Sequence, residues 1–446
     1  MNRNQQVKCE YEKIVEQQLE DKVIEKANGS PVGERVFYMP HRPVIKESSS
    51  TTKIRMVFDA SARPHPLANS INECMYTGPP LQPLLWNVLV RARMATNHLT
   101  GDLKQAFLQV GLKKEDRDAF RFLFDVNGTI EHLRFTRVPF GVEASAFMLG
   151  ATLEHHFDCY TAEFPETVEA LKQNTYVDNL MKAGSSAKEL IQFKHEATEI
   201  LEAAKFPVHK WESNIQSLDQ KKNPTKFLGH NWDKRADTLE IPIAPANVEE
   251  PVIKRQILKE LSSVYDPLGI ISPVMVEGKR IYREACNEKV GWNGEVSSII
   301  AKDWLKCRRQ LRNVRIPRSI ARSVRKVKAI HLHLFADASF TACSAVTIAV
   351  IEHSSGIVKG MLTSKSRIAK RNTSIARLEL VSGQMAANMA KNLNDALRSL
   401  PIASITVWMD SLVALFWIKS PDKPWKVFVS NRTRKIAAIT EEVGMD

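Results

Sequence analysis

The sequence lacks the features of membrane, secreted and zinc-binding proteins. No window approaches about 18 consecutive apolar residues, and the N-terminal stretch MNRNQQVKCEYEKIVEQQLEDKVIEKA is polar and helix-like rather than a signal peptide. The six cysteines lie far apart with no C-x-x-C pair, so neither a disulfide framework nor a zinc module is indicated. We therefore expect an intracellular protein, cytoplasmic or nuclear, with free thiols and no membrane partner.

Several catalytic motifs are also missing. The chain has no G-x-G-x-x-G, no P-loop G-K-[ST] and no His/Cys cluster, which leaves little support for a general metabolic enzyme. An aspartic peptidase needs two aspartates that share a proton, on D-T-G or D-S-G turns, and neither turn occurs. DAS at Asp59 and Asp337 and DSL at Asp410 are poor substitutes. Aspartic peptidase activity is therefore not expected.

Basic charge is what the sequence has in excess. Lys and Arg outnumber Asp and Glu by 63 to 50, for a net charge of +13, which favours a polyanionic partner such as nucleic acid. From Lys306 to Lys328 there are ten basic residues and no acidic one. This stretch is either a solvated helix face or a basic linker, and both could lie along a phosphate backbone.

The pattern of predicted elements is α+β. Long helices such as SAKELIQFKHEATEILEAAKF lie between predicted β-hairpins, and there is no regular βαβ repetition. After the basic stretch, AIHLHLFADASF, CSAVTIAVIE and IVKGMLTSKSR predict three successive antiparallel strands. A helix, a strand and a second helix follow. A chain of 446 residues is expected to form two to four domains, and this last unit is a compact α/β domain.

Two aspartates that follow apolar strands suggest a metal site. Nucleotidyl transfer commonly uses two divalent ions held by carboxylates, with basic residues nearby for the triphosphate. Asp102 in TGDLKQAF and Asp178 in TYVDN fit this requirement. Either one alone is more often a turn or cap residue. Together, with VPFG between them and TKIRMVFDAS before them, they form a more specific pattern.

This order of motifs resembles that of a reverse transcriptase. HRPVIKESSSTTKIRMVFDASA, GPPLQP, KEDRDAFRFLF, RFTRVPFG, YVDNL and VYDPLGIISP resemble the Pol polyprotein of BEL/Pao-type retrotransposons, through nearly the whole chain. The resemblance implies a right-hand polymerase with fingers and palm over residues 1–235 and a helical thumb and connection over 236–325. An RNase H-like α/β domain is implied over 326–446.

The resemblance also implies roles for individual residues. Asp102 and Asp178 would hold metal, and Gly229 with Trp232 would hold the primer end. The residues implied to surround the incoming nucleotide are Lys53, Arg55, Phe107, Phe140, Gly141 and Tyr176. Lys53 and Arg55 would grip the triphosphate, as charge-assisted donors should. Phe107 would exclude a 2′-hydroxyl, although it could equally be a simple core aromatic residue.

Asn179 departs from the family's pattern, which has aspartate at this position. An amide can offer one oxygen to a metal but contributes no charge. Asn also tolerates positive φ and is well suited to a hairpin turn, so we expect the fold to survive the change. The shape of the hairpin is therefore predicted more firmly than polymerase activity.

The C-terminal unit has a second set of acids. Asp337 ends a predicted strand, Glu379 lies in a helix and Asp410 ends another strand, so the three can converge and bind two metal ions. In this element order they resemble an RNase H domain. The family's fourth acid comes from a later segment, so we expect this domain to be truncated at its C-terminus. Sequences like residues 233–392 are often labelled a Pao retrotransposon peptidase, which we interpret as a family name.

We therefore predict a retrotransposon reverse transcriptase region with a partial RNase H-like domain. The implied cofactor is Mg²⁺ or Mn²⁺. The implied partners are an RNA/DNA template–primer duplex, deoxynucleoside triphosphates and other parts of the same Pol polyprotein. The alternative is a catalytically impaired or domesticated fragment that binds nucleic acid without catalysis, which Asn179 favours.

Overall fold

The structure, a computed structural model, describes residues 5–31, 34–45, 54–126, 128–219, 223–244, 251–321, 327–354 and 356–445. The helices in these ranges are α1 (Gln5–Glu20), α2 (Ile71–Cys74), α3 (Leu85–Ala92), α4 (Ala106–Gln109), α5 (Ser145–Asp158), α6 (Pro165–Asn174), α7 (Ala187–Ala203), α8 (Lys254–Ser263), α9 (Ser272–Asn287), α10 (Ser298–Gln310), α11 (Ile375–Ala396), α12 (Leu412–Ile418) and α13 (Val427–Val443). In this part of the chain no helix is both long and apolar enough to cross a bilayer.

The strands of the described ranges form five sheets. They are β1 (Ile24–Lys26), β2 (His41–Ile45), β3 (Ile54–Phe58), β4 (Asn97–Leu103), β5 (Arg121–Val126), β6 (Thr129–Phe135), β7 (Asn179–Gly184), β8 (Val208–Ser213), β9 (Thr225–Phe227), β10 (His230–Asp233), β11 (Thr238–Ile241), β12 (Val314–Pro317), β13 (Val327–Ala338), β14 (Ala342–His353), β15 (Gly356–Ile368) and β16 (Ile402–Trp408). Their orders are β2-β3, β1-β6-β5, β7-β4-β8, β12-β11-β10-β9 and β15-β14-β13-β16.

The chain divides into two compact units. One comprises residues 1–83, 101–180 and 194–210, and the other comprises 84–100, 181–193 and 211–446. The first contains an aromatic core, in which the Phe58 ring lies 5.0 Å from both the Phe122 and Phe135 rings. Arg134 donates to Glu25 at 2.7 Å and so ties β1 to its neighbour β6. The predicted β2–β3 and β5–β6 hairpins are both present.

The C-terminal sheet lies in the second unit. β13 alternates inward and outward residues, and Ile330, Leu332, Leu334 and Ala336 are buried, as the sequence HLHLFADA predicts. β13 pairs antiparallel with β14 and parallel with β16, and the buried stripe of α11 packs on this sheet. The predicted order of three antiparallel strands, a helix, a strand and a helix is therefore confirmed. α6, α10 and α13 were not predicted.

The DPLG loop joins the helices before residue 326 to the C-terminal sheet. Both Asp266 carboxylate oxygens accept backbone N–H groups just before α9, from Ile270 and Ile271, each at 2.9 Å. The Leu268 carbonyl accepts from the Ser364 N–H of the edge strand β15 at 2.9 Å. Gly269 has φ +72°, and a Cβ there would lie 2.0 Å from the Ser364 oxygen. The loop therefore covers the sheet edge at a position that requires glycine. The predicted domain boundaries stay a prediction.

The basic stretch is neither one solvated helix face nor one linker. It runs through α10 and β12, and residues 322–326 lie outside the described ranges. Arg308 is buried and pairs with Glu260. Arg318 is fully buried, and its guanidinium pairs with Asp237 at 2.7 Å. These two cations are structural, because each is buried in an ion pair within the unit and is not exposed to bind a phosphate backbone.

Two candidate acidic sites

The hairpin that contains Asp178 is a very tight turn. Tyr176 and Asn179 exchange both backbone hydrogen bonds, at 2.8 and 2.9 Å, around the two residues between them. Val177 has φ +57°, a conformation rare for a β-branched residue. The expectation that Asn179 would suit a positive φ is therefore corrected, since the strained residue is Val177. Asn179 starts β7 and adopts no left-handed conformation.

Asp102 and Asp178 come together at the ends of neighbouring segments. The Leu103 N–H donates to the Asp178 carbonyl at 2.8 Å, which fixes the two aspartates side by side. Burial raises the pKa of Asp178, and the negative charge of Asp102 raises it further. The Asn179 amide donates to Asp178 Oδ1 at 2.7 Å and stabilises the ionised form. The site therefore has two close carboxylates with an amide beside them.

Lys210 adds a cation that the sequence analysis missed. Its Nζ lies 3.4 Å from Asp102 Oδ2, and its charge opposes the rise in the pKa of Asp178. Lys210 lies on β8, in VHKWES, and β8 is the neighbour of β4 in the sheet. VHKWES shows only the alternation of a strand, and the order of strands was needed to place the lysine beside an acid.

The residues predicted for the nucleotide are described except for Lys53, which lies outside the described residues. The Phe107 and Phe140 rings meet edge to face at 4.9 Å, and Phe140 is half exposed. Gly141 has φ +88°, and a Cβ there would lie 3.1 Å from the Phe58 carbonyl. Arg55 is exposed on β3. The structure thus brings the two phenylalanines together, and their roles stay predictions.

The residues predicted to hold the primer lie in the second unit. Trp232 is fully buried and donates from its indole N–H to Asp237 Oδ1 at 3.0 Å. Gly229 has φ +92°, and a Cβ there would lie 2.5 Å from the Tyr265 ring. The Trp232 side chain therefore belongs to the core. If the segment of Gly229 and Trp232 contacts a primer, the contact is made by its backbone and not by the indole.

The three C-terminal acids converge as predicted. Asp337, Glu379 and Asp410 each offer a carboxylate oxygen, and these oxygens all lie within 4.8 Å of one another. Asp337 and Asp410 are exposed and Glu379 is buried. Burial raises the pKa of Glu379, and the charges of Asp337 and Asp410 raise it further. Within the described ranges this is the one group of three or more such residues that could hold a metal ion.

The donor chemistry of this cluster fits a hard divalent cation. It offers oxygen ligands alone, and its net negative charge favours a cation that would relieve the repulsion on Glu379. The Asp102–Asp178 pair fits less well, because an amide replaces a third carboxylate and Lys210 already compensates part of the charge. Two acidic sites that differ in the charge of their side chains are therefore present in one chain.

Residues 44–232 match the family described as reverse transcriptase (RNA-dependent DNA polymerase). Residues 253–411 match the family described as Pao retrotransposon-like RNaseH-like domain. No curated protein gives a match. The description of the family matched by residues 253–411 names an RNase H-like domain rather than a peptidase.

The chain is also similar to solved structures of the foamy viral protease-reverse transcriptase. One, in complex with double-stranded DNA, has 15% identity, a TM-score of 0.63, and matches over 99% of this chain and 69% of that chain. A second, with RNA/DNA hybrid, has 16% identity, a TM-score of 0.59 and coverage of 99% and 53%. A third, with double-stranded DNA, has 15% identity, a TM-score of 0.57 and coverage of 99% and 82%. At this identity the likeness shows the fold alone.

These matches confirm the resemblance stated from the motifs and the α+β polymerase fold with an RNase H-like domain. A reverse transcriptase domain in turn implies the general use of a divalent metal ion. The chain thus combines a reverse transcriptase domain with a Pao retrotransposon-like RNase H-like domain.

Proposed function

We propose that this chain is the RNA-directed DNA polymerase region of a retrotransposon Pol polyprotein, and that its RNase H-like domain cleaves the RNA strand of a hybrid. The observation that carries the proposal is the pairing of Asp102 with Asp178, fixed by the 2.8 Å bond from Leu103 to the Asp178 carbonyl. Nucleotidyl transfer needs carboxylates that lie close enough together to hold divalent ions, and these two aspartates lie at the ends of adjoining strands.

In the polymerase reaction a primer 3′-hydroxyl attacks the α-phosphorus of a deoxynucleoside triphosphate, and pyrophosphate leaves. Asp102 and Asp178 would hold Mg²⁺ or Mn²⁺, which neutralises charge on the attacking and leaving oxygens when bound. The charge of Lys210 opposes the rise in the pKa of Asp178 that burial and Asp102 cause, and so favours the ionised carboxylate that this role requires. Arg55, with Lys53, would bind the triphosphate, and the edge-to-face pair of Phe107 and Phe140 would border the sugar.

In the RNase H-like domain the reaction is hydrolysis of a phosphodiester. Asp337, Glu379 and Asp410 would hold the divalent ions there, because their oxygens already lie within 4.8 Å of one another. Burial of Glu379 keeps one carboxylate fixed, while the exposed Asp337 and Asp410 face the solvent from which a substrate strand arrives. The three together supply the negative charge that two cations require.

The partners that we propose are a template–primer duplex, deoxynucleoside triphosphates and other parts of the same polyprotein. The net charge of +13 and the complexes of the foamy viral enzymes with double-stranded DNA and RNA/DNA hybrid support the duplex. Duplex binding should then weaken steeply with salt. A flat salt dependence would contradict this part of the proposal.

The test is primer extension on an RNA template by the full chain, with Asp178→Asn as the matched loss of charge. We expect the original chain to extend the primer. The rate of extension by Asp178→Asn should be at least about 10²-fold lower, since charge stabilisation at the reacting phosphate is removed. Absence of extension by both chains, with hybrid binding retained, would instead support the alternative of a nucleic-acid-binding fragment impaired by Asn179.

A further inference from the structure

The three acids of the C-terminal cluster are held in place in different ways. Asp337 lies within β13 and is paired in register with β14. Glu379 lies on α11 and is buried. Asp410 lies beyond the end of β16, whose last residue paired with β13 is Trp408. Strand pairing therefore fixes Asp337 but does not extend to Asp410, so the position of Asp410 depends on the residues on either side of it.

Met409, the residue between Trp408 and Asp410, packs on α11 at a glycine. A Cβ built on Gly383 would lie 2.8 Å from Met409 Sδ and 3.0 Å from Met409 Cε, closer than the roughly 3.5 Å of an ordinary contact. The thioether therefore occupies the space that a side chain at residue 383 would take. Ile418 Cδ1 of α12 would lie 3.4 Å from the same Cβ. Met409 and Ile418 together cover the bare backbone of α11 at this point.

Gly383 lies one turn after Glu379 on the same face of α11. Residues four apart in a helix lie one above the other, separated by about 6 Å along the axis. The carboxylate oxygens of Glu379 and Asp410 lie within 4.8 Å of one another. The contact that anchors Met409 and the carboxylate that faces Asp410 are thus on one helix face. How closely Met409 approaches α11 therefore sets the separation of the two carboxylates.

The residue that follows Asp410 is anchored as well. Ser411 is the N-cap of α12, and its hydroxyl accepts from the Ala414 N–H at 3.3 Å. Ala414 is fully buried, which holds the first turn of α12 against the rest of the unit. Asp410 itself is exposed. A displacement of Met409 is therefore passed to Asp410 through a single peptide bond.

We propose that Gly383 is a positioning residue for hybrid cleavage. Because it lacks a side chain, it lets Met409 pack on α11, and this contact holds Asp410 at the distance from Glu379 that divalent ions require. The inference rests on the proposed RNase H-like function for the reaction and on the Gly383–Met409 contact for the role. Loss of a group that supports a metal ligand lowers metal affinity by about 10- to 100-fold.

A side chain at residue 383 should change the position of Asp410 more than the stability of the fold. Methionine is unbranched and flexible, so a displaced thioether can adopt another rotamer. Alanine also favours a helix over glycine by roughly 1 kcal/mol, which offsets part of the cost of the displacement. The melting temperature of Gly383→Ala should therefore stay near that of the original chain, while its metal site is altered.

The test is a double-mutant cycle in the full chain. Gly383→Ala adds the Cβ, and Met409→Val removes the two atoms that this Cβ would meet. Mn²⁺ binding is measured by calorimetry, and the part that Asp337→Asn abolishes is assigned to the cluster. Each single variant should weaken this part by about tenfold, and the double variant should recover most of the loss because the volumes match again.

The matched control is Gly278→Ala on α9. It is also a helix glycine, and a Cβ there would lie 2.5 Å from the end of an apolar side chain, Leu261 Cδ2. Leu261 is part of the core formed by α8, α9 and α10, so this variant changes packing without changing the residue before Asp410. We expect Gly278→Ala to bind Mn²⁺ at the cluster as the original chain does.

Cleavage of the RNA strand of a hybrid is the second readout. In each single variant of the cycle, the Mg²⁺ concentration for half-maximal cleavage should rise by about tenfold, and the KM for the hybrid should be unchanged. A loss of packing alone would lower the melting temperature and would not be reversed by the second substitution. Primer extension by the same variants should match that of the original chain.

The outcomes separate the positioning role from the proposed function. Equal Mn²⁺ affinity of Gly383→Ala, Gly278→Ala and the original chain would overturn the role of Gly383. Losses that add in the double variant would overturn Met409 as the route to Asp410. If the original chain binds Mn²⁺ at the cluster but cleaves no hybrid, the proposed function fails and the calorimetric cycle still decides the positioning role. If the original chain binds no Mn²⁺ there, both fail.

Discussion

The two acidic sites of this chain differ in how their charge is arranged. The Asp102–Asp178 site has two carboxylates, an amide from Asn179 and an ammonium from Lys210. The C-terminal site has three carboxylates, of which Glu379 is buried against the charges of the other two. The first is already partly neutralised by its own protein groups, whereas the second depends on a cation for neutrality. We infer that the second site has the stronger intrinsic affinity for divalent ions.

The largest expected effect is loss of hybrid cleavage in Glu379→Gln. Cleavage of the RNA strand should fall by about 10³-fold, because a neutral amide cannot complete the charge needed by two cations. Primer extension by the same variant should be unchanged. The two activities are compared on one labelled hybrid, and equal loss of both would remove the distinction between the sites.

Asn179→Asp should raise primer extension by roughly ten- to a hundredfold. The added carboxylate supplies the missing charge, and β7 begins at this residue in an ordinary conformation, so the fold has no reason to change. The control is the double variant Asp178→Asn, Asn179→Asp, which keeps the net charge of the original chain and should extend primers as poorly as Asp178→Asn. Equal extension by the original chain and Asn179→Asp would show that the amide suffices.

Gly269→Ala tests how far the sheet that carries the second site depends on the DPLG loop. A Cβ would lie 2.0 Å from the Ser364 oxygen at φ +72°, so we expect a loss of about 2–4 kcal/mol in the free energy of unfolding. Gly291→Ala is the matched control, since a Cβ there meets nothing within 4 Å. Denaturant unfolding measures the free energy of unfolding of both variants. Similar losses in the two would show that the DPLG loop does not stabilise the edge strand β15.

A smaller effect concerns stability and pH at the second site. The pKa of Glu379 is raised in the folded chain, so its stabilising contribution is present below the unfolded pKa of about 4.5 and is lost as pH rises through the folded value. Glu379→Gln should therefore raise the melting temperature at pH 7, and the difference should shrink toward pH 4. A constant difference across this range would contradict the assigned repulsion.

The smallest expected effect is at Lys210. Removal of its charge in Lys210→Met should raise the pKa of Asp178, so the acid limb of the primer-extension profile should move to higher pH. Lys188→Met, an exposed lysine on α7, is the control. If both variants gave the same profile, the Lys210–Asp102 contact would have no electrostatic role.

Much of this architecture could be predicted because short stretches of sequence show the residue pattern of the element that they form. The alternation in HLHLFADA predicted β13 with its buried face, and acids at the ends of predicted strands identified Asp337 and Asp410 as site residues. Contacts between distant segments could not be predicted in the same way. Lys210 joins Asp102 only through strand order, and the DPLG loop joins β15 only through the fold of the whole unit.

The sequence also could not show which polar residues are used internally. Arg318 belongs to the basic stretch that was predicted to suit a phosphate backbone, yet its side chain is fully buried against Asp237. Trp232 has the sequence context of a primer-binding element, yet its indole is in the core. In both cases burial is decided by distant partners. The positions of Asp337, Glu379 and Asp410 could be predicted because β13, α11 and β16, which carry or precede them, pack directly on one another.

The backbone of the hairpin at residues 176–179 does not depend on the side chains that would carry out catalysis. The left-handed conformation of the turn falls on Val177, and the paired backbone bonds of Tyr176 and Asn179 close it whatever side chain follows Asp178. Closure of the turn therefore depends on the backbone of residue 179 rather than on its side chain. A carboxylate at position 179 is compatible with the same backbone, so Asn179→Asp changes the charge of the site and leaves the turn as it is.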